Sequence, residues 1–177
     1  MSETAAEHKA EARRQLNFAV IICSTSRYEK ASKTGGTDDA SGDLIVKILR
    51  ENGHRVTMRR IIPDDKEQIQ RVLMRALKSR KVDAIIFSGG TGVSPNDVTI
   101  EAVKPMLDKE IPGFGEIFRF LSYKKIGSAA ILTRALAGTC RGKAIFCLPG
   151  SPNSVSLALE KLIIPEVGHI IKHAREP

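Results

Sequence analysis

A chain of 177 residues with 42% apolar side chains is long enough to bury one substantial core, and that composition excludes wholesale disorder. Its 28 Lys and Arg against 20 Asp and Glu leave a net charge of +8, but the cations fall in short clusters (Arg13–Arg14, Arg59–Arg60, Lys124–Lys125) rather than one run. A solvated basic surface accounts for this most simply, a phosphorylated small ligand comes next, and nucleic acid last, because no Trp and only two Tyr leave few bases to stack on.

No stretch approaches the ~18 uninterrupted apolar residues of a membrane span. The N-terminal MSETAAEHKAEARRQL mixes charges of both signs and has no apolar leader region, so residues 1–16 read as a polar extension and the expected location is cytoplasmic. The odd cysteine count and the lack of C-x-x-C point the same way, with Cys23, Cys140 and Cys147 as buried thiols rather than disulfide partners or metal ligands.

Along the chain, NFAVIICS (17–24) reads as a buried strand and 25–38 as a polar, Gly-rich loop. In 40–52 apolar residues recur at helical spacing (Leu44, Ile45, Ile48, Leu49), with Gly53 as the stop. A second strand (54–62) ends at Pro63-Asp64-Asp65. Helix 66–79 follows, with Ile69, Val72, Leu73, Ala76 and Leu77 on one face, and then a short apolar third strand, 82–88. This βαβαβ succession predicts a parallel sheet with helices on both faces. Segments 98–111 and 115–125 read as short helices. SAAILTRAL and KAIFCLP read as two antiparallel strands joined by AGTCRG. A helix follows from PGSPNSVSLALEKLI, and another starts at Pro165 and runs towards His173. The expected fold is one α/β domain over 17–177, a three-layer αβα arrangement whose mostly parallel sheet carries an antiparallel edge hairpin.

Phosphate-loop and dinucleotide patterns fail. Gly138-Thr-Cys-Arg-Gly142-Lys143 has its glycines one residue too close and Ala144 where a metal-binding hydroxyl belongs, and Gly90-Thr-Gly92 is followed by Pro95 rather than a third glycine. His169 and His173, four apart on a helix, can in principle grip a metal. No third ligand is evident, and cations at a helix C-terminus are the simpler reading. Three loops of similar chemistry remain: 25–43 with Asp39, SGGTGVSPND with Ser88, Thr91 and Asp97, and LPGSPNS with Gly150, Ser151 and Asn153 at a helix start. Each can also be purely structural; Asp97, for instance, can cap a helix beginning at Val98.

Five stretches together resemble one family from residue 18 to the C-terminus: GGTG with Asp97-Val98-Thr99, Pro63-Asp64-Asp65, Pro112-Gly113-Phe114-Gly115-Glu116 with Arg119, Thr133-Arg134-Ala135, and Leu148-Pro149-Gly150-Ser151-Pro152. The pattern is similar to that of the MoaB/MogA family of molybdenum-cofactor biosynthesis proteins, most of all its archaeal MoaB branch. That resemblance implies a MogA-like fold in trimers or hexamers, and adenylylation of molybdopterin by Mg-ATP with release of pyrophosphate. A non-catalytic molybdopterin carrier of the same fold is the alternative. By position, Asp64 and Asp97 match the family's catalytic, magnesium-holding aspartates. Ser88, Gly89, Gly90, Thr91, Gly92, Pro149, Gly150, Ser151 and Asn153 match its ligand loops. The expected partners are molybdopterin, ATP, further copies of the chain and a MoeA-type metal-insertion protein, with no nucleic acid or membrane. The chemistry is compatible, because the attacking phosphate is already ionised and needs no strong base. Bare glycines would let backbone lie against the nucleotide. Three departures stand out: Ser88 where Thr is common, Ile100 for Pro, and Asp43 for Pro beside a presumed anionic ligand.

Overall fold

The computed structural model describes residues 15–35 and 38–176. Six strands form one sheet in the order β2-β1-β3-β6-β5-β4. These are β1 (Asn17–Cys23), β2 (Arg55–Ile62), β3 (Ala84–Ser88), β4 (Lys109–Glu110), β5 (Leu136–Cys140) and β6 (Lys143–Leu148). β2, β1, β3 and β6 run parallel, and β5 and β4 complete an antiparallel edge, as expected. The helices are α1 (Thr25–Thr34), α2 (Ala40–Glu51), α3 (Lys66–Lys78), α4 (Thr99–Val103), α5 (Pro112–Ile126), α6 (Pro152–Ala158) and α7 (Ile164–Arg175).

Strand alternation sends each residue set to its own layer. Phe18, Val20 and Ile22 join Phe118, Phe146, Val155 and Ile163 beneath α2, α5 and the C-terminal helices. Ala19, Ile21 and Cys23 join Ile69, Leu73, Phe87 and Val103 beneath α3 and α4. Among the described residues no helix is long and apolar enough to cross a membrane.

The structure corrects several expected elements. The 25–38 loop contains α1, which has no apolar face to reveal it. Ser24 caps it by accepting from the Arg27 N–H, and Gly35, at φ +69°, ends it in the left-handed conformation. The strand expected to start at Ser128 starts at Leu136; residues Gly127–Leu132 form a 3₁₀ turn whose Ile131 is 84% exposed, so the apolar run has no sheet to bury it. Arg141 (φ 51°) and Gly142 (φ 71°) make the two-residue hairpin turn. The 98–111 helix ends early at α4, and after a 3₁₀ turn at Lys104–Met106 the chain forms the β4 edge. The two C-terminal helices are one continuous run, widened into a π turn over Leu159–Ile163 just before Pro165, which lacks an N–H for the regular ladder.

The polar extension expected over 1–16 lies outside the described residues up to residue 14. Leu16, at its end, is fully buried, and its N–H donates to His54 Nδ1 at 3.3 Å. The Phe18 ring lies 5.3 Å from the same imidazole. His54 must therefore be neutral with its proton on Nε2, and burial pushes its pKa below the ordinary 6.5. The unfolded chain takes up that proton first. The stabilisation is complete above the unfolded value and is lost as pH falls below it. The fall in melting temperature between about pH 7.5 and about pH 5.5 is expected to be smaller in His54→Asn, whose amide can accept but not titrate; equal falls in calorimetric melts of the two proteins would refute this.

Candidate active site

Parallel register brings the loops together. Cys23 pairs with Ile62, Ile22 with Ser88, and Ser88 with Leu148. Pro63-Asp64-Asp65, GGTG and PGSP therefore leave the sheet at one level on its carboxyl rim, where α/β sheets bind ligands. Sheet order also reverses here, with β2 and β3 on opposite sides of β1.

The GGTG loop closes onto its own protein. A Cβ on Gly89 (φ +102°) would sit 2.2 Å from the Cys23 carbonyl oxygen. One on Gly90 (φ +61°) would sit 2.5 Å from Thr99 Oγ1 and 2.7 Å from Asp64 Oδ1, and one on Gly92 would sit 2.7 Å from Asp97 Oδ2. The glycines are thus accounted for by close approach to β1 and to both aspartates, and not only by the approach of a nucleotide. Thr99 fastens the far end: its N–H donates to the Gly90 carbonyl and its hydroxyl to the Gly89 carbonyl, both at 2.9 Å.

Asp64 is held by the helix the sequence reading missed. Its Oδ2 accepts from the Thr25 N–H (2.9 Å) and hydroxyl (3.0 Å), while its own N–H donates to Thr25 Oγ1. Its Oδ1 is buried with no hydrogen-bond partner among the described residues. A buried carboxylate oxygen without a donor is costly, and a cation would satisfy it. Neighbouring Asp65 has a different task, capping α3 through the Gln68 N–H at 2.8 Å. Asp97 does not cap α4, whose cap residue is Val98 without a side-chain bond; its Oδ2 accepts from the Ser94 N–H at 2.9 Å. Among the described residues no three His, Cys, Asp or Glu form a metal cage. Asp64 and Asp97 are oxygen ligands of the kind that Mg²⁺ commonly takes, one or two carboxylates plus substrate phosphates and water.

Gly90, Thr91, Gly92, Asp97, Thr133, Arg134, Pro149, Gly150, Ser151 and Ser154 line a cleft of about 360 Å³ beside the loop. Four predicted residues lie off this lining: Asp64, whose buried Oδ1 sits behind Gly90, Ser88, fully buried at the end of β3 with its hydroxyl 3.5 Å from the Pro149 carbonyl, Gly89, and exposed Asn153. At PGSP, Ser151 Oγ accepts the Ser154 N–H and Pro152 has none, so fewer free amides are offered to an anion than the helix start implied.

Arg134, a cationic wall of the cleft, was passed over as a site residue although Thr133-Arg134-Ala135 was recognised as a motif. It pairs with Glu101 on α4. Burial pushes the Glu101 carboxyl up, but the Arg134 hydrogen bond and charge outweigh it, and its pKa lies below the ordinary value. The anion introduced by Asp43 is likewise answered: Arg59 pairs with Asp43 and with buried Asp39, both at 2.7 Å. Ser41 bridges that corner to the PGSP loop through its hydroxyl, 2.6 Å from the Gly150 carbonyl.

Residues 19–169 match the family model described as "Probable molybdopterin binding domain". The chain belongs to this family, in its MoaB/MogA group. It is 46% identical to molybdenum cofactor biosynthesis protein B of Bacillus cereus over 93% of this chain and 94% of that one. It is 45% identical to the molybdopterin adenylyltransferase of Pyrococcus furiosus over 96% and 98%. Among solved structures, the tungsten cofactor synthesizing protein MoaB from Pyrococcus furiosus superposes with a TM-score of 0.81 at 42% identity, covering 93% of this chain and all of that one.

The loop's fit gives a paired test. Gly35→Ala at φ +69° meets nothing within 4 Å among the described residues, so it carries only the left-handed backbone cost of about 1–2 kcal/mol. Gly90→Ala carries that cost and also displaces Asp64 or Thr99, and is expected to be the more destabilising by urea unfolding. Equal losses would show that the loop can yield.

Proposed function

We propose that this chain acts in molybdenum-cofactor biosynthesis as a molybdopterin adenylyltransferase. Under this reading the terminal phosphate of molybdopterin attacks the α-phosphorus of ATP, the bond to the β-phosphate breaks, and pyrophosphate leaves with an adenylylated pterin as product. The observation that carries the reading is the buried, partnerless Asp64 Oδ1 beside Gly90 of the GGTG loop.

The nucleophile is already an anion, so the task is to bring two polyanions together and hold them in line. Asp64 and Asp97 are the groups that would hold Mg²⁺, which when bound neutralises phosphate charge. Arg134 stands at the wall to take a phosphate oxygen, giving up part of its pairing with Glu101. Gly90 and Gly92 hold the loop against the aspartates, and Thr25 keeps Asp64 from turning away. No proton has to move for the bond to form, in keeping with a cleft lined by neither His nor Cys. The expected setting is the cytoplasm, with the buried Cys23, Cys140 and Cys147 free and the product passing to a MoeA-type metal-insertion protein.

Pyrophosphate release with molybdopterin and Mg-ATP tests the assignment. Asp64→Asn and Asp97→Asn are each expected to lower turnover by about 10²-fold or more, and Arg134→Ala to do so by about 10-fold or more. Tight molybdopterin binding by an intact wild-type protein that releases no pyrophosphate would leave a carrier instead.

The same reading includes self-association. Ile117, Phe120, Tyr123 and Ile126 on α5, with Ile131 and Leu132, are each more than half exposed, and Phe120, Tyr123 and Ile131 line one mostly apolar face. A face of this kind on a folded protein marks an interface. Phe120→Glu is expected to shift the protein to a smaller species in light scattering, and an unchanged mass would place the contact elsewhere.

A further inference from the structure

The C-terminal half of α7 carries a second constellation, remote in sequence from the loops of the cleft. His169 and His173 lie one turn apart, their rings tilted 57° with centroids at 4.6 Å, and their Nε2 atoms face each other at 2.9 Å. Each Nδ1 points at a carboxylate: His173 at Glu176 Oε2, 2.6 Å away, and His169 at Glu166 Oε2, 3.5 Å away. A carboxylate can only accept, so these partners assign the ring proton to Nδ1 on both residues. With each Nδ1 so engaged, the two Nε2 atoms stand within hydrogen-bond distance of each other, and a single cation held between them, a proton or a metal ion, satisfies both.

We propose that His169 and His173 form a chelate for one divalent transition-metal ion of right-angle preference, Cu²⁺ or Ni²⁺, separate from any magnesium in the cleft. The spacing is compatible with that class. With metal–nitrogen bonds of about 2.05 Å, a right-angle chelate sets its nitrogens about 2.9 Å apart, whereas a tetrahedral one sets them about 3.3 Å apart. Square-planar and tetragonal nitrogen sites are those of Cu²⁺ and Ni²⁺. Glu166 and Glu176 supply what ligating histidines ordinarily have, an acceptor on the far nitrogen that fixes tautomer and ring orientation. Among the described residues no third His, Cys, Asp or Glu completes a cage, so the remaining coordination positions fall to water or a small ligand. Space for these exists: both imidazoles line a hollow of about 540 Å³, bounded across from α7 by Asp108, Glu110 and Thr139. This hollow is larger than the cleft at the aspartates, and the adenylylation reading gives it no task.

Titration of the full chain with Cu²⁺, followed by calorimetry and electron paramagnetic resonance, tests this. One ion per chain is expected, with coupling to two nitrogens. His173→Ala, at a half-exposed position, is expected to lose at least about 10-fold in affinity together with one of the two nitrogen couplings. Glu176→Gln is expected to keep both couplings and lose about 10-fold in affinity, because it loosens the ring and not the bond. Binding within twofold of wild type in His173→Ala, or a wild-type spectrum with fewer than two coupled nitrogens, would overturn the assignment and leave the pair a helix-end cation site.

Discussion

Contact between the GGTG loop and the end of β1 sets the geometry of the whole rim. At 2.2 Å from a Cβ position to the Cys23 carbonyl oxygen, no side chain of any kind fits on Gly89, and the backbone there must also take a left-handed turn. The turn brings Gly90 over Asp64 and Gly92 against Asp97. One loop thereby becomes the common wall of two carboxylates that are 33 positions apart in the chain. Cys23 lies beneath it, and burial, opposed in part by a hydrogen bond to Thr99 and reinforced by the Asp64 charge, pushes its thiol up to about 12. It is therefore a packing thiol and not a nucleophile.

The central sheet was legible because its signal is hydrophobic. Short continuous apolar runs such as AIIFS, bounded by turn residues, read as strands covered on both faces, and amphipathic α3 declares its buried stripe at Ile69, Leu73, Ala76 and Leu77. Elements whose formation rests on a few polar contacts were not legible. α1 exists because Ser24 and Gly35 cap it and Thr25 grips Asp64, none of which alters the period of apolar residues. Ile131 and Leu132 misled in the opposite sense, since their β-prone character answers to an exposed face and not to a sheet. The candidate carboxylates were legible from motif and loop position together. Arg134 was harder to find because its closeness to PGSP and Asp97 depends on where the misplaced strand begins.

The charge distribution narrows how the cleft can attract a polyanion. A net charge of +8 suggests a basic funnel, yet several arginines near the rim are already paired: Arg59 with Asp39 and Asp43, Arg27 with Asp39, and Arg134 with Glu101. Burial holds the Arg59 guanidinium back, but its two carboxylates more than compensate and its pKa lies above the ordinary value, so it stays charged and committed. The cleft itself presents one guanidinium, Asp97, three glycines and the hydroxyl-bearing Thr91, Thr133, Ser151 and Ser154. Asp64 behind Gly90 adds negative charge, not positive. A bare polyphosphate would therefore meet carboxylates with little to offset them, and a phosphate that arrives with its own divalent cation would meet a matching oxygen ligand in Asp64 Oδ1. On the proposed reading, charge at this site would follow the ligand's cation, and selectivity would fall to the rigid parts, the left-handed glycines and Thr25, that hold that one oxygen without a partner of its own.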